Sequence, residues 1–315
     1  MYKIKGILSE YLVDNFNDLG TKGFQVINNA IKNPDQVRAN IESDIENLKK
    51  HHADVDLRLL QQFGAGQWES MWNCRIQTIP VWSSLLNTNN LVSSWDGLSI
   101  VNSHEQLHTL DDLNEFCEPD WLHRDQRLSN SNLADTIQGF LSLSDNEEDT
   151  YSTIFYVPKH TSAQEMIDKF HDKFYNRYSR YGRKICNSYT DDDYYVFSEI
   201  ELEWLREHCH LVKPTLKKGD LLLWCSSMPH AAACSKNCTI TTAGRFGVYI
   251  AMFPKELIST EHLQERKKLS TKFLTSSHNV LYPRLFPFRT CDTHEKLKLP
   301  TYSAEISQLR DKLIF

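Results

Sequence analysis

The sequence lacks the features that would assign it to a membrane, secreted or repeat protein. No stretch approaches the roughly 18 consecutive apolar residues that a membrane-spanning helix needs. Residues 1–10 have neither the apolar core nor the small-residue cleavage site of a signal peptide. Internal repeats and low-complexity linkers are not visible either. We therefore expect a cytoplasmic protein without a membrane segment, in which residues 1–315 form a single domain.

A strong charge of one sign is also missing. The chain has 35 Lys and Arg against 41 Asp and Glu, which gives a formal net charge of -6. A field of this size and sign does not attract a polyanion, so we do not expect nucleic acid as a partner. Hydrophobic residues make up 40% of the chain and charged residues 24%, as in ordinary globular proteins. This composition suits an enzyme or binding protein for a small molecule.

The eight cysteines have no regular spacing. Without an export signal, such scattered cysteines are expected to be reduced thiols rather than a disulfide framework. Zinc binding is the alternative, because Cys234 and Cys238 have a permitted ligand spacing and Cys209, His210 and Cys225 precede them. The second group does not have a matching spacing, so the sequence favours free thiols.

Short strands and turns fill the middle of the chain, and helical patterns flank them. This order predicts a mainly β protein with helical cover, of the α+β class. We expect an N-terminal helical cover over residues 1–90, a β core over 91–256 and a C-terminal helical cover over 257–315. Residues 163–210 interrupt the β pattern. Long insertions over a rigid scaffold usually carry recognition, so we expect this one to form a lid that sets specificity.

Apolar periodicity places the individual elements. Helices are predicted where apolar residues recur at helical spacing, over residues 36–51, 163–175 and 200–209. Strands are predicted over residues 23–27, 98–101, 137–143, 152–157, 221–224 and 245–253. The acidic turn between the strands at 137–143 and 152–157 predicts that these two form a hairpin.

A His-x-Asp pair lies in the predicted core. Side chains alternate along a strand, so His123 and Asp125 are expected to point to the same face. His230, just after the strand at 221–224, is the best candidate for a third ligand. Two histidines and one carboxylate with open positions form the facial triad of non-haem Fe(II) oxygenases. The alternative is that His123 and Asp125 are a surface pair on an edge strand.

Arg245 follows His230 and begins the next predicted strand. A buried arginine is costly unless it meets an anion. Its planar fork binds a carboxylate through two hydrogen bonds, so an arginine beside a metal is suited to a dicarboxylate ligand. A salt bridge at the end of the strand is the alternative.

These residues together resemble the Fe(II)- and 2-oxoglutarate-dependent oxygenases of the phytanoyl-CoA dioxygenase-like family. The resemblance covers about residues 64–287 and is carried by Trp121–Gln126, Ile137–Gly139, Pro158–His160, Gly219–Trp224, Pro229–His230 and Arg245–Tyr249. It implies a double-stranded β-helix, or jelly-roll, core. It also implies that Fe(II) is bound by His123, Asp125 and His230, and that Arg245 holds the distal carboxylate of 2-oxoglutarate. The expected reaction uses O2 to hydroxylate a small or medium-sized organic substrate, with release of succinate and CO2.

Further site residues follow from the resemblance and from sequence proximity. We predict that Gln138 and Trp224 contribute to binding 2-oxoglutarate, although Trp224 also suits the core. The candidates for the substrate pocket are four residues near the motifs, namely Arg124, Gln126, Tyr156 and His160. The chain departs from the family pattern at Gly247, where many members have a serine that would hydrogen-bond the cosubstrate. His278 is expected to pack in the C-terminal cover.

Two other functions fit the same residues. The chain could be a non-catalytic jelly-roll binding protein that keeps the triad as a vestigial metal site. It could also be an oxygenase that acts on a macromolecule, although the acidic balance argues against nucleic acid. The sequence leaves the substrate and the oligomeric state open.

Overall fold

Two antiparallel β-sheets pack face to face in the structure, a computed structural model. It describes residues 16–101, 122–127, 130–146, 150–176, 194–233, 244–280 and 300–314, together with Gly6, Leu8 and Tyr11. The strands are β1 (Phe24–Ile27), β2 (Leu91–Ser93), β3 (Leu98–Val101), β4 (His123–Arg124), β5 (Ile137–Ser142), β6 (Ser152–Pro158), β7 (Tyr195–Val196), β8 (Cys209–Val212), β9 (Leu221–Cys225), β10 (His230–Ala233), β11 (Arg245–Ile250) and β12 (Met252–Pro254).

The two large sheets have five strands each. The first, called here the major sheet, has the order β1-β9-β5-β11-β3, and the second, the minor sheet, has the order β7-β4-β10-β6-β8. Aromatic rings join the two inner faces: Phe24 stacks on Phe155 with ring centroids 4.8 Å apart, and Trp224 lies 5.4 Å from His230. With the helices outside, this is the predicted α+β fold with a double-stranded β-helix core.

The prediction that residues 137–143 and 152–157 form a hairpin is wrong. Strand β5 pairs with β9 and β11 in the major sheet, whereas β6 pairs with β10 and β8 in the minor sheet. The connection therefore crosses from one sheet to the other, because partners for both strands come from distant parts of the chain. A turn between two strands does not by itself identify their partners.

Strand β5 shows how alternation divides the two faces of the major sheet. Gln138 lines the cavity between the sheets. Gly139 faces the opposite way, and a Cβ built there would lie 3.1 Å from the ring of Trp82 and 2.8 Å from the carbonyl oxygen of Ile250. Glycine thus allows the helix carrying Trp82 to approach the outer face of the sheet.

Helices cover the outside of this core. They are α1 (Asn17–Thr21), α2 (Pro34–Lys49), α3 (Glu69–Leu85), α4 (Ala163–His171), α5 (Glu199–His208), α6 (Thr260–Ser270) and α7 (Ala304–Ile314). The predicted stripe on α2 is confirmed, since Val37, Ile41, Ile45 and Leu48 are all buried. None of these helices, in the part of the chain that the structure describes, is long and apolar enough to cross a membrane.

The candidate metal centre and its cavity

The minor sheet brings the three predicted metal ligands together. His230 begins β10 and is paired directly with His123 of β4. Asp125 comes immediately after β4. Its carboxylate oxygens lie 3.4 Å from Nε2 of His123 and 3.2 Å from Nε2 of His230. The three ligand atoms are all within 4.8 Å of one another, and this is the one such group of potential ligands among the described residues.

The protonation of the triad favours a cation. Burial and the neighbouring His123 lower the pKa of His230 below its ordinary value of 6.5. Burial alone would raise the pKa of Asp125, but the positive influence of His278 and His123, with the close contacts to both ligand histidines, holds it well below 3.8. The site therefore presents a neutral imidazole and a carboxylate at neutral pH.

A backbone contact sets the orientation of His230. Its Nδ1 lies 2.9 Å from the carbonyl oxygen of Met228, and in neutral histidine this nitrogen must be the donor. Nε2 then directs a lone pair towards the Asp125 oxygen at 3.2 Å. Two lone pairs at this distance need a proton or a cation between them. An octahedral ion with bonds of ~2.1 Å separates neighbouring ligand atoms by ~3 Å, so the spacing fits a shared metal ion.

Arg245 lies on the opposite wall, in the major sheet. It is 1% exposed and begins β11. Its guanidinium donates to the hydroxyls of Ser99, Thr153 and Tyr249 at 3.1, 3.1 and 3.2 Å. Among the described residues, these three hydrogen-bond partners of Arg245 are neutral, and none is a carboxylate. Three of the five N–H groups of the guanidinium are used in this way, which leaves two for a ligand.

Gly247 makes the position of Arg245 possible. A Cβ at Gly247 would lie 2.1 Å from Cζ of Phe140, so only glycine leaves room for this ring. The guanidinium carbon of Arg245 lies 4.0 Å from the centroid of the same ring. A cation–π contact with Phe140 therefore stabilises Arg245. Where the family pattern has a serine, Gly247 lacks the hydroxyl but leaves space for the ring of Phe140.

Gln138 and Trp224 are neighbours on the same wall, directly paired between β5 and β9. Both line the cavity, and both are buried. Nε2 of Gln138 and Nε1 of Trp224 have no hydrogen-bond partner among the described residues. A buried donor without an acceptor costs ~1–3 kcal/mol, so two adjacent ones facing a cavity favour a ligand that accepts hydrogen bonds.

One cavity of about 480 Å³ connects the triad, Arg245 and these two donors. This volume lies within the range of small-molecule sites. The remaining wall comes from the 56–61 loop, from Asp96 before β3, and from His278 of the C-terminal cover. The triad and the arginine thus line one cavity between the sheets.

The four residues predicted for the substrate pocket do not line this cavity. Arg124 is buried and donates to the backbone carbonyls of Gln126 and Asn130. The Gln126 side chain accepts from Ser226 at 2.7 Å and so braces the same loop. Thr153 of β6 lines the cavity, and Tyr156, three positions later, points to the opposite face because side chains alternate along a strand. His160 is exposed beyond β6. The substrate roles of these four residues stay predictions.

Two further predictions concern regions that are described only in part. No described residue of the 163–210 insertion lines the cavity, and residues 177–193 lie outside the described ranges. The described residues of the predicted lid pack around the minor sheet, and its role as a lid stays a prediction. Cys234 and Cys238 also fall outside. Cys209 and Cys225 are buried free thiols in different sheets. Burial raises the pKa of the Cys209 thiol to about 12.

Sequence reasoning did not identify several residues of the site. The sequence could have indicated Tyr249, because it lies on the same face of β11 as Arg245, four residues later. It could not have indicated Ser99 and Thr153, since their position beside Arg245 depends on which strands pair. His278 was predicted to pack in the cover, yet it lines the cavity, as does Asp96. Both come from segments with no local motif.

No protein-family model and no curated protein sequence matches the chain. Among solved structures, the chain is similar to the GlcNAc Inducible Gene 2 protein (DUF1479) of Candida albicans. That match has 14% identity and a TM-score of 0.53 and covers 94% of this chain and 75% of that one. EctD from S. alaskensis with bound Fe matches with 14% identity and a TM-score of 0.45, and the match covers 80% of this chain and 81% of EctD. HygX from Streptomyces hygroscopicus, with nickel and 2-oxoglutarate bound, matches with 12% identity and a TM-score of 0.41, and the match covers 78% of this chain and 88% of HygX. At these identities, the likeness to the Candida protein concerns the fold alone.

Proposed function

We propose that the chain is a non-haem Fe(II)- and 2-oxoglutarate-dependent dioxygenase that hydroxylates a small or medium-sized organic molecule. The single observation that carries this proposal is the pairing of two half-sites in one cavity. His123, Asp125 and His230 offer a facial set of ligands to a metal ion, and Arg245 lies buried across from them with only neutral partners. A cation site and an anion site in one space suit a metal with a dicarboxylate cosubstrate.

Each residue has a defined task in this proposal. The two histidines and Asp125 hold the ion from one side, and open positions remain towards the cavity. Arg245, Thr153 and Tyr249 bind the distal carboxylate, while the amide of Gln138 and the indole N–H of Trp224 donate to oxygen atoms between the two ends. When bound, iron and 2-oxoglutarate supply the oxidising chemistry from O2, with release of succinate and CO2. The proposal also assigns the chain to the phytanoyl-CoA dioxygenase-like family.

The experiment measures binding and turnover separately. Calorimetry under anaerobic conditions should show that the wild type binds Fe(II) and then 2-oxoglutarate, and mass spectrometry should detect succinate formed in air. In Asp125→Ala, loss of a ligand should reduce metal affinity by more than ~100-fold, since even second-shell changes cost 10–100-fold. Asp54→Ala is the matched control, because Asp54 is exposed and is not among the residues that line the cavity.

The outcomes separate the proposal from its alternative. Succinate formation that Asp125→Ala abolishes and Asp54→Ala keeps would support the oxygenase. Binding of metal without 2-oxoglutarate binding or succinate would favour a non-catalytic jelly-roll protein. A wild type that binds neither ligand would overturn both readings of the cavity.

A further inference from the structure

His278 comes from the C-terminal cover, but it forms part of the cavity wall beside the triad. Its Nε2 atom is buried and has no hydrogen-bond partner among the described residues. The proposed roles of the metal ligands and of Arg245 do not use it. A buried imidazole nitrogen without a partner, on a residue that lines a cavity, favours a ligand that supplies one.

The backbone holds His278 firmly in this place. The segment before it, Leu274–Ser277, is buried. Ser276 exchanges two hydrogen bonds with Trp95, one from its backbone N–H at 2.9 Å and one to its hydroxyl at 2.7 Å. Thr275 accepts from the backbone N–H of Gly66 at 3.1 Å. His278 is therefore positioned by a fixed segment, as a recognition residue requires.

Asp96 is the acidic partner on the same wall. It is 4% exposed, and its carboxylate accepts from Gln61 at 3.0 Å and from the backbone N–H of Gly97 at 2.7 Å. Burial raises the pKa of Asp96, and Gln61 and then His278 offset part of this effect, which places His278 near the carboxylate. The same imidazole also influences Asp125. His278 and Asp96 thus line the same cavity as the metal ligand Asp125.

The charges of the cavity wall exclude one class of substrate. Arg245 is assigned to the cosubstrate, and Arg58 is already bound to Asp56 through contacts of 2.8 to 3.2 Å. Among the described residues, these two are the arginines of the lining, and no lysine lines it. Asp96 remains as an acidic group on this part of the wall. A phosphate or a CoA nucleotide would meet a buried carboxylate here.

Resting on the proposed function, we propose that His278 and Asp96 form the substrate subsite of this cavity. The substrate is a neutral or cationic small molecule that carries hydroxyl or amino groups, and it is neither phosphorylated nor linked to CoA. Its polar hydrogen binds Nε2 of His278 beside the metal, and an amino or hydroxyl group donates to Asp96. Specificity then comes from the C-terminal cover and the 56–61 loop instead of the 163–210 insertion.

The test uses the full chain loaded with Ni(II) and 2-oxoglutarate, so that binding is measured without turnover. Two matched sets of probes are compared by thermal shift and calorimetry. One contains sugars, amino sugars and amino alcohols, and the other contains their phosphate esters and short acyl-CoA thioesters. We expect binding from the first set alone. Equal or tighter binding by the second set, or no binding by either, overturns the proposal.

Variants link the binding to the subsite. For the best probe, His278→Ala should weaken binding by about 3- to 10-fold, the effect of one lost hydrogen bond, and His278→Gln should keep most of it. His160→Ala, which changes an exposed histidine outside the cavity, is the control. Asp96→Asn should weaken amine probes more than neutral ones. Unchanged probe binding in His278→Ala would contradict the proposal.

Failure of this inference differs from failure of the proposed function. Loading with Ni(II) and 2-oxoglutarate is itself measured first, in the wild type and in His278→Ala. If the wild type does not load, the proposed function fails. If both proteins load equally, but probe binding depends neither on the charge of the probe nor on His278, only the substrate subsite is overturned.

Discussion

Arg245 and Arg266 are both fully buried, both lie over an aromatic ring, and they differ in what accepts their hydrogen bonds. Arg266, in the C-terminal cover, lies 5.0 Å from the ring of Trp95 and donates to the backbone carbonyls of Ser93 at 2.6 Å and Ile314 at 3.0 Å. Arg245 lies over Phe140 and donates to three hydroxyls. Burial lowers the pKa of Arg266 to about 9, so it stays charged at neutral pH.

The acceptors explain the different roles of the two residues. A backbone carbonyl only accepts, so Arg266 completes hydrogen bonds that α7 and β2 need. A hydroxyl accepts and donates at once, so Thr153 and Tyr249 can receive from Arg245 and still donate to a bound anion. One buried arginine joins the C-terminal helix to the core, and the other, in the proposed function, prepares a carboxylate site. Burial of an arginine is therefore not by itself a sign of function.

The largest effect should follow from removing the functional arginine. Arg245→Met should weaken 2-oxoglutarate binding by about 2–5 kcal/mol, or roughly 30- to several-thousand-fold, because a buried charge loses its partner. Without ligand, the melting temperature should stay equal or rise, since an uncompensated buried charge is gone. Calorimetry and thermal unfolding measure the two effects.

Arg266→Met is the matched comparison for this substitution. It leaves the Ser93 and Ile314 carbonyls without their donor, so unfolding should become easier by ~1–3 kcal/mol for each. Affinity for 2-oxoglutarate in the folded protein should stay the same. If both variants lost affinity and stability alike, the distinction between the two arginines would be wrong.

The support beneath Arg245 can be tested at Gly247. Gly247→Ala places a methyl group 2.1 Å from Cζ of Phe140 and forces the ring away from the guanidinium. We expect a loss of ~1–3 kcal/mol of stability from overpacking, together with weaker 2-oxoglutarate binding. Gly244→Ala is the control, because a Cβ there meets nothing within 4 Å. Wild-type behaviour of Gly247→Ala would show that the ring adjusts without cost.

The smallest effect concerns pH, which acts on the metal ligands. The pKa of His230 and that of Asp125 are both lowered in the fold, so their deprotonated forms persist below their ordinary values of 6.5 and 3.8. Each contributes stability that is present above its ordinary pKa and is lost as the pH falls through the lowered one. Metal affinity measured by calorimetry should therefore change less than about threefold between pH 6.5 and 5.5, whereas a ligand histidine of ordinary pKa would weaken it by about fivefold there.

The hydrogen bonds and ring contacts around the site were only partly accessible from the sequence. Alternation placed His123 and Asp125 side by side, and the structure confirms that they lie within 3.4 Å. The positions of His230 and Arg245 beside predicted strands, together with their side-chain chemistry, made them the candidate partners. Local patterns gave the strands and helices well, but the predicted hairpin between β5 and β6 was wrong because sheet partners are not local properties.

The sequence by itself determined the composition of the core, the positions of most strands, and the types of residue that could bind a metal and a carboxylate. Periodicity and side-chain chemistry are local, so they can be read along the chain. Only the tertiary structure decided which wall each residue joins: it turned Arg124 and Tyr156 away and brought His278 and Asp96 in. The reason is that the cavity lies between two sheets whose strands pair across long sequence distances, and its wall also includes segments of the cover.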